Sequence, residues 1–194
     1  MKDIYKVLST IVNKENLREN EYMNNHTSFK IGGVADFLVT PNSENELRDI
    51  LIKMKELNQN IFIMGNGTNL LVRDKGIRGV VIKLCDNFAG FSIEDDFVDV
   101  KSGILMSTLS KHIMKDSLSG FEFASGIPGT IGGAIAMNAG AYDGEMKDVV
   151  HSVRAMNMDG EIFELSNEQM QFGYRRSIIT TDNLIVLSAV LKLK

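Results

Sequence analysis

The stretch Gly65-Asn-Gly-Thr-Asn69 combines two glycines with hydroxyl and amide side chains, directly after the apolar run Ile61–Met64. A glycine-rich turn at the C-terminal end of a strand is where α/β folds commonly bind ligands. It is not a P-loop, because no Gly-Lys-Ser/Thr follows, nor a Rossmann loop, because Leu70 stands where the third glycine belongs. Backbone N–H groups, the Thr68 hydroxyl and the Asn69 amide predict a phosphate cradle of another type. A hairpin-like turn is an equally open alternative.

The stretch Ser125–Gly140 holds five of the 17 glycines and one of the two prolines. Its apolar residues favour burial over a surface loop; they are Ile127, Ile131, Ile135 and Met137. Glycine inside a buried segment indicates that another backbone or a ligand comes close. Free N–H groups before a helix-like run suit a phosphate, so the stretch predicts a nucleotide- or dinucleotide-binding loop. A glycine-rich packing turn is the alternative.

The segment Phe172-Gly-Tyr-Arg-Arg-Ser177 places two adjacent arginines beside aromatic residues, in a chain whose net charge is −4. Guanidinium groups bind carboxylates and phosphates with two parallel hydrogen bonds. The segment therefore predicts an anion site, with a solvated basic turn as an equally open alternative.

Composition excludes several classes of function. The net charge of −4 supplies no basic surface for nucleic acid. Cys85 is the only cysteine, and the three histidines show no ligand spacing, so we predict neither a disulfide framework nor a metal site. The N-terminal residues contain no signal-peptide core, and no apolar run is long enough to span a membrane. We therefore expect a cytoplasmic protein without membrane contact.

Hydrophobic periodicity predicts the elements that position these motifs. Asp3–Asn13 has helical spacing, and the polar stretch Asn13–Asn25 predicts a second short helix and a loop. A β-α-β unit follows, with parallel strands and a right-handed crossover, and its helix begins at the capping box Ser43-Glu-Asn-Glu46. Its strands are Ala35–Thr40 and Ile61–Met64, and further strands are predicted at Leu70–Val72 and Val80–Leu84.

The second half of the chain predicts two hairpins, one helix and a final strand. The hairpins pair Phe91–Ile93 with Phe97–Lys101 and Val149–Met156 with Ile162–Leu165. The remaining elements are a helix at Leu105–Lys115, a single helical turn at Ser166–Gln169 and a long strand at Leu184–Leu193.

Four motifs in one order carry a resemblance to a known family. They are Asn25-His-Thr-Ser-Phe-Lys-Ile-Gly-Gly33, Gly65-Asn-Gly-Thr-Asn-Leu-Leu71, Gly126-Ile-Pro-Gly-Thr-Ile-Gly-Gly-Ala134 with Asn138-Ala-Gly-Ala-Tyr142, and Tyr174-Arg-Arg-Ser177. Together they closely resemble the UDP-N-acetylenolpyruvoylglucosamine reductases, flavoenzymes of peptidoglycan precursor synthesis. The resemblance covers about residues 15–194, and its specificity comes from the set of motifs rather than from any one of them.

The resemblance implies an α+β fold, the two-lobed FAD-binding region of the vanillyl-alcohol-oxidase (PCMH) type. Residues 1–85 would form the first lobe and residues 86–194 the second, with FAD between them. The diphosphate would lie on Gly65, Asn66, Gly67, Thr68 and Asn69. The rest of the cofactor would lie against Gly129, Thr130, Gly133 and Gly140. Neither glycine-rich loop contains a histidine, so we expect FAD to be bound without a covalent link.

The resemblance also implies the chemistry. NADPH would be the reductant, and the enolpyruvyl double bond of a UDP-sugar the acceptor, with no protein partner implied. Arg175 matches the family's arginine and would stabilise the enolate, while Arg176 is the second choice. Tyr142 and Tyr174 would line the substrate or nicotinamide side.

In one respect the chain departs from the family pattern. The family continues into a third, substrate-binding domain that supplies a proton-donating serine and a glutamate, and this chain ends at Lys194, where that domain would begin. We therefore expect a fragment that binds FAD without completing the reduction. Two alternatives stay open: a flavin oxidase or dehydrogenase of the same fold with another substrate, and a non-catalytic nucleotide-binding module.

Overall fold

The computed structural model describes residues 2–194, which form two compact units, residues 2–87 and residues 88–194. Each unit has its own sheet. The FAD-binding roles that the sequence suggests for residues 1–85 and 86–194 remain predictions.

The first unit is a four-stranded mixed sheet with two helices. Its elements in chain order are α1 (Lys2–Ile11), β1 (Leu17–Tyr22), β2 (Val34–Val39), α2 (Glu44–Glu56), β3 (Ile61–Met64) and β4 (Ile77–Lys83). The strand order is β1-β2-β4-β3. Strands β2 and β3 both run parallel to β4, which lies between them, while β1 runs antiparallel to β2. The predicted β-α-β unit with parallel strands is confirmed.

The second short helix predicted within residues 13–25 is wrong. Those residues form β1 between two short 3₁₀ turns, Lys14–Asn16 and Met23–Asn25. Strand β1 pairs with β2 from Leu17 opposite Val39 to Tyr22 opposite Val34. Its mostly exposed polar side chains show no alternation of buried positions. Pairing with β2 determines the conformation here, which local propensity does not reveal.

The strand predicted at Leu70–Val72 is also wrong, because these residues lie outside every strand. Val72 is buried in a small cluster with Met23 and Met64, whereas the Leu71 side chain is 62% exposed. The segment is held by a hydrogen bond in which the Gly33 N–H donates to the Arg73 carbonyl at 3.0 Å. Its apolar residues therefore anchor a loop rather than form a strand.

Helix α2 begins where the capping pattern predicts. The Ser43 hydroxyl accepts a hydrogen bond from the Glu46 N–H at 3.2 Å, and the Glu46 carboxylate accepts one from the Asn42 N–H at 2.7 Å. The carboxylate thus reaches one residue before the N-cap, which differs from a standard capping box. One face of the helix is fully buried; its residues are Leu47, Ile50, Leu51 and Met54.

The second unit is a five-stranded antiparallel sheet with helices and a small hairpin. Its elements in chain order are β5 (Phe91–Glu94), β6 (Phe97–Lys101), α3 (Met106–Lys115), α4 (Ile131–Ala136), β7 (Gly140–Ala141), β8 (Gly144–Glu145), α5 (Met146–Val149), β9 (Val150–Met156), β10 (Ile162–Ser166), α6 (Ile178–Thr181) and β11 (Ile185–Lys192). The sheet order is β10-β9-β11-β6-β5, and β7 pairs only with β8 among the described residues.

This architecture confirms the two predicted hairpins, the helix at α3 and the final strand at β11. At Ser166–Gln169 the chain makes a turn in which the Ser166 N–H donates to the Gln169 side-chain oxygen at 2.8 Å. Part of the glycine-rich stretch lies in the core of this unit, since Ile131 and Ile135 of α4 are completely buried together with residues of α3 and the sheet, while Gly126 and Gly133 are exposed.

The cap of α2 makes a testable prediction about stability. We expect Ser43→Ala to lower the free energy of unfolding by about 1 kcal/mol, because the Glu46 N–H then loses its acceptor. Ser43→Asp is the matched control, since its carboxylate can accept the same hydrogen bond at a helix N-terminus. Urea unfolding followed by circular dichroism measures both. Equal losses for the two variants would contradict this account of the cap.

Candidate functional site

In the first unit, the glycine-rich loop follows β3 and packs against the segment after β1. Gly67 is buried and has φ +65°, a conformation that favours glycine. A Cβ atom at Gly67 would lie 2.1 Å from the His26 carbonyl oxygen. The Gly67 carbonyl accepts a hydrogen bond from the Ser28 N–H at 3.2 Å. Two of the four family motifs therefore meet here, and glycine at position 67 is required by their contact.

The same loop presents N–H groups to an outside acceptor. Within residues 2–194, the N–H groups of Asn66, Gly67 and Asn69 donate to no protein acceptor. The Asn66 and Asn69 residues are exposed, and Gly67 is buried. A buried N–H without a partner is costly, and successive free N–H groups in a tight turn form a concave anion-binding surface. The loop thus leaves three donors available to an outside acceptor, and the phosphate cradle stays a prediction.

In the second unit, the glycine-rich stretch forms the start of α4. Thr130 is the N-cap of this helix, and its hydroxyl accepts a hydrogen bond from the Gly133 N–H at 3.5 Å. Gly129 has φ +126°, and its carbonyl accepts a hydrogen bond from the Met106 N–H at 3.0 Å. These three predicted residues therefore share one end of a short helix.

The glycines of this stretch serve different purposes. At Gly132 a Cβ would lie 2.9 Å from the Cβ of Ser102, and at Gly140 it would lie 2.6 Å from the Gly144 carbonyl oxygen. Packing against the protein itself therefore requires glycine at both places. Gly133 is exposed, and a Cβ there would meet only the Thr130 hydroxyl, at 3.6 Å. Gly133 is also one of the predicted cofactor contacts. Packing within the protein does not explain why this position is a glycine.

A tight hairpin carries Tyr142. Strands β7 and β8 are joined by Tyr142 and Asp143, which have φ values of +51° and +64°. Two successive residues in the left-handed region are typical of a type I′ hairpin turn. The Tyr142 side chain is 92% exposed at the tip. The hairpin therefore holds an aromatic ring in solvent at a backbone conformation that is unfavourable for tyrosine.

A second tight turn carries Tyr174 and Arg175. The Gly173 N–H donates to the Arg176 carbonyl at 3.0 Å, and the Arg176 N–H donates back to the Gly173 carbonyl at 3.3 Å. Arg175 has φ +55°, and its guanidinium lies 5.7 Å from the centre of the Tyr174 ring. Its Nη2 donates to the Gly140 carbonyl at 3.3 Å. The arginine is thus fixed against the base of the Tyr142 hairpin.

The two turns line one cavity of about 440 Å³. Its lining residues are Asn138, Gly140, Ala141, Tyr142, Asp143, Gly144, Glu145, Asp148, Tyr174 and Arg175. The structure therefore brings together Gly140, Tyr142, Tyr174 and Arg175, four of the predicted site residues. Gly129, Thr130 and Gly133 lie at the other end of α4, outside this lining. Gly65–Asn69 belong to the first unit.

The family model of the FAD binding domain matches residues 35–166, which is more than half of the chain. This chain belongs to the FAD binding domain family. FAD is therefore the cofactor class to test against the two glycine-rich segments.

Known proteins resemble the chain over nearly all of its length. The UDP-N-acetylenolpyruvoylglucosamine reductase of Clostridioides difficile is 56% identical over 192 residues, which are 99% of this chain and 63% of that protein. The crystal structure of the reductase of the same name from Thermus caldophilus has a TM-score of 0.79 at 34% identity, over 92% of this chain and 63% of that one. The resemblance that the four motifs indicate is confirmed. The chain spans less than two thirds of the length of these relatives.

More distant structures share the fold alone. An alkyldihydroxyacetonephosphate synthase has a TM-score of 0.70 at 19% identity, over all of this chain and 40% of the synthase chain. Together with the family match, this likeness confirms the predicted α+β FAD-binding fold of the vanillyl-alcohol-oxidase (PCMH) type. None of the helices described in residues 2–194 has the length and apolar character needed to cross a bilayer. That part of the chain also shows no group of His, Cys, Asp and Glu suited to a metal ion.

The residues present fit FAD in both units. The N–H groups of Asn66, Gly67 and Asn69, which have no acceptor within residues 2–194, suit a diphosphate, which needs donors and tolerates no side chain at the turn. Gly133 offers an open backbone face at the start of α4. Ser102, beside Gly132, has a buried hydroxyl without a hydrogen-bond partner in the described part of the chain. The individual contacts remain predictions, since the family match identifies the fold and not the contact atoms.

A polar network lies beside the Gly65–Asn69 loop on the Asn25–Gly33 side, and residue spacing does not reveal it. His26 Nε2 lies 2.8 Å from a Glu21 carboxylate oxygen, and its Nδ1 lies 3.3 Å from Lys83 Nζ. The three residues come from β1, the turn after it and the end of β4, and only the fold brings them together.

Two buried polar residues of the second site were also missed. The Asn138 side chain contacts the Tyr174–Arg175 turn, and the Ser177 hydroxyl donates to the Ala136 carbonyl at 2.9 Å. A polar residue directly after the apolar run of α4 is the signal that points to Asn138. Both residues belong to the family motifs, and their sequence pattern assigns neither of them a role.

The backbone conformation at Gly67 leads to a testable prediction about stability, which needs no ligand. We expect Gly67→Ala to lower the free energy of unfolding by about 2 kcal/mol, because alanine is strained at φ +65° and its methyl group overlaps the His26 carbonyl. Gly126→Ala is the matched control, since a methyl group there meets no atom within 4 Å. Denaturant unfolding of both variants is the measurement. Similar stabilities for the two would show that the loop relaxes freely.

Glu21 makes a prediction about pH. Burial alone raises the pKa of Glu21, but the hydrogen bond from His26 and the charge of His26, followed by the charge of Arg18 and a hydrogen bond from Asn25, outweigh it and hold the pKa below its ordinary value. The carboxylate therefore stabilises the fold above its unfolded-state pKa of about 4.3, and this contribution is lost as pH falls through the lower folded-state pKa. Glu21→Gln should flatten the fall of unfolding free energy between about pH 5 and pH 3.

Glu19→Gln is the control for this experiment, because Glu19 is exposed on the same strand. Thermal unfolding across the pH range compares the three proteins. A pH profile for Glu21→Gln that is as steep as that of the parent chain would exclude the network as a source of acid sensitivity.

Proposed function

We propose that this chain is the FAD-binding portion of a reductase that uses NADPH to reduce UDP-N-acetylglucosamine enolpyruvate to UDP-N-acetylmuramate, a step of peptidoglycan precursor synthesis. The observation that carries the proposal is the fixed Arg175 guanidinium beside Tyr142 and Tyr174 in one cavity. The 56% identity to a protein named as this reductase supports the same substrate class. The chain covers 63% of the length of that protein, so the activity of the whole reductase is part of the proposal.

The first unit holds the diphosphate in this proposal. Asn66, Gly67 and Asn69 donate their N–H groups to the phosphate oxygens, and Thr68 adds its hydroxyl. Gly65 keeps the chain close to the ligand, since it carries no side chain. FAD, when bound without a covalent link, supplies two-electron transfer between NADPH and the substrate double bond.

The second unit supplies the remaining cofactor contacts and the substrate side. Gly129, Thr130 and Gly133 lie against the rest of the cofactor, where the open face of Gly133 lets a flat ring approach the backbone. Tyr142 and Tyr174 hold the substrate or nicotinamide with their exposed rings. Gly140 acts through its carbonyl, which orients the Arg175 guanidinium.

Arg175 stabilises negative charge in the proposed reaction. Reduction of an enolpyruvyl group places charge on an enolate next to a carboxylate, and a guanidinium that is already oriented needs no reorganisation as this charge develops. One preorganised donor of this kind supplies about 3 kcal/mol in enzymes that stabilise a developing oxyanion. Arg176, the second choice, is exposed on the same turn.

We further propose that the 194 residues accept electrons from NADPH without completing the reduction. The serine that protonates the enolate and the glutamate of the family pattern match no position in this chain. The remaining candidates are an oxidase or dehydrogenase with another substrate and a non-catalytic module. A flavin spectrum distinguishes all three.

The spectrum should show bound FAD that is bleached by NADPH under anaerobic conditions and is not restored by the enolpyruvyl sugar nucleotide. A colourless protein that takes up no FAD would favour the non-catalytic module. Bleaching by an alcohol substrate but not by NADPH would favour the oxidase or dehydrogenase. Complete turnover would support the proposed substrate. It would also contradict the proposal that the reduction needs the serine and glutamate of the family pattern.

Arg175 provides a sharper test of the substrate side. We expect Arg175→Ala to weaken binding of the enolpyruvyl sugar nucleotide at least about tenfold, since a charge-assisted hydrogen bond contributes roughly 1.5–3 kcal/mol. Arg176→Ala is the matched control and should change the dissociation constant less than about threefold. Titration of the FAD-loaded protein, followed by the flavin spectrum, measures both. Equal effects of the two substitutions would remove the assigned role of Arg175.

A further inference from the structure

Asn138 lies between the Tyr142 hairpin and the Arg175 turn, the two turns that line the cavity. It directly follows the C-terminal turn of α4 and precedes β7, and only 2% of its surface is exposed. Its φ of +41° lies in the left-handed region. Asparagine and aspartate tolerate this region better than other residues with a side chain. A buried polar side chain in that conformation indicates that its hydrogen bonds determine the local structure.

The carboxamide makes two hydrogen bonds of opposite sense. Its Nδ2 donates to the Gly173 carbonyl at 3.1 Å, and its Oδ1 accepts from the Lys147 N–H at 3.0 Å. Aspartate in the ionised state only accepts, and glycine can do neither. Asparagine is therefore the short side chain that meets both requirements and also fits the backbone conformation.

The first of these bonds acts on the turn that carries Arg175. The Gly173 carbonyl also accepts from the Arg176 N–H, so its oxygen is shared between the turn and Asn138. Four residues further on, Ser177 ties the chain to the end of α4. Arg175, at an unfavourable φ, is thus held from both sides by buried polar groups. Such strain persists only where the surroundings determine it.

The second bond acts on the segment that follows the Tyr142 hairpin. Lys147 belongs to α5, which begins directly after β8. One buried side chain thus joins the hairpin segment and the arginine turn, which also meet through the Arg175–Gly140 hydrogen bond. The relative position of the Tyr142 and Arg175 turns depends on this connection.

We infer that Asn138 is a positioning residue that holds the Arg175 turn in the geometry that binds the substrate anion. The inference rests on the proposed function for the identity of the anion. Asn138 acts through Arg175, so its removal should weaken substrate binding only while Arg175 is present.

Three variants test the two hydrogen bonds of Asn138 and the effect of its backbone conformation. Asn138→Gly keeps the backbone conformation accessible and removes both hydrogen bonds. Asn138→Asp keeps the acceptor for Lys147 and removes the donor to Gly173. Asn183→Gly is the matched control, because Asn183 also has a left-handed φ, of +51°, but is exposed. All three are made in the full 194-residue chain.

The first measurement is hydrogen–deuterium exchange, which needs no substrate. We expect Asn138→Gly and Asn138→Asp to raise the exchange rate of the Arg176 amide at least about tenfold, while amides of β9 and β11 stay protected. Asn183→Gly should leave the Arg176 amide unchanged. An unchanged Arg176 amide in Asn138→Gly overturns the inference whether or not the protein proves to be a reductase. Loss of protection throughout the second unit would show a general structural role and would also overturn it.

The second measurement is a double-mutant cycle on binding of the enolpyruvyl sugar nucleotide. Asn138→Gly should weaken binding about tenfold, and Arg175→Ala combined with Asn138→Gly should be no weaker than Arg175→Ala alone. Additive losses would show that Asn138 acts independently of Arg175 and overturn the inference. A parent chain that binds FAD but not this ligand would instead contradict the proposed function, and the exchange experiment would still decide the role of Asn138.

Discussion

The second site depends on a backbone that is held in unfavourable conformations by buried hydrogen bonds. Asn138, Tyr142, Asp143 and Arg175 all have φ between +41° and +64°. A residue with a side chain gives up roughly 1–2 kcal/mol in this region. The Asn138 carboxamide and the Gly140 carbonyl supply the contacts that hold two adjacent turns together. The exposed arginine and tyrosine are therefore presented by a rigid frame, although their own side chains have few contacts.

Glycine serves a different purpose in each of the two glycine-rich segments. At Gly67 the constraint comes from a crossing backbone, the His26 carbonyl, and the same turn leaves N–H groups without protein acceptors. In the α4 segment, Gly132 and Gly140 are required by contacts within the second unit. Glycine content alone thus predicts close approach correctly but does not tell whether a ligand or the protein itself approaches.

Most of the fold follows from sequence patterns, and the exceptions have a common cause. Helix α2, strand β3 and the final strand show clear periodicity and were predicted. Strand β1 was predicted as a helix and a loop because its order comes from pairing with β2, a contact between residues 12 to 22 positions apart in the chain. The predicted residues Gly140, Tyr142, Tyr174 and Arg175 meet in one cavity, yet Asn138, which joins their turns, makes hydrogen bonds that sequence spacing cannot reveal. Local patterns report on neighbours in sequence, whereas the support of a site comes from residues that the fold brings together.

The same reasoning shows which charged side chains around the cavity are explained by local structure. Asp148 accepts a hydrogen bond from the Glu145 N–H at 2.9 Å, so this carboxylate caps the start of α5. Asp143 lies in the type I′ turn, a position that favours aspartate for its backbone conformation. Local structure thus accounts for these two carboxylates, and they need no cation. Arg175 has the opposite character: its backbone is strained and its guanidinium is exposed, with a single main-chain acceptor. The turn thus presents an exposed cation at the cavity, and we propose an anionic ligand as its partner.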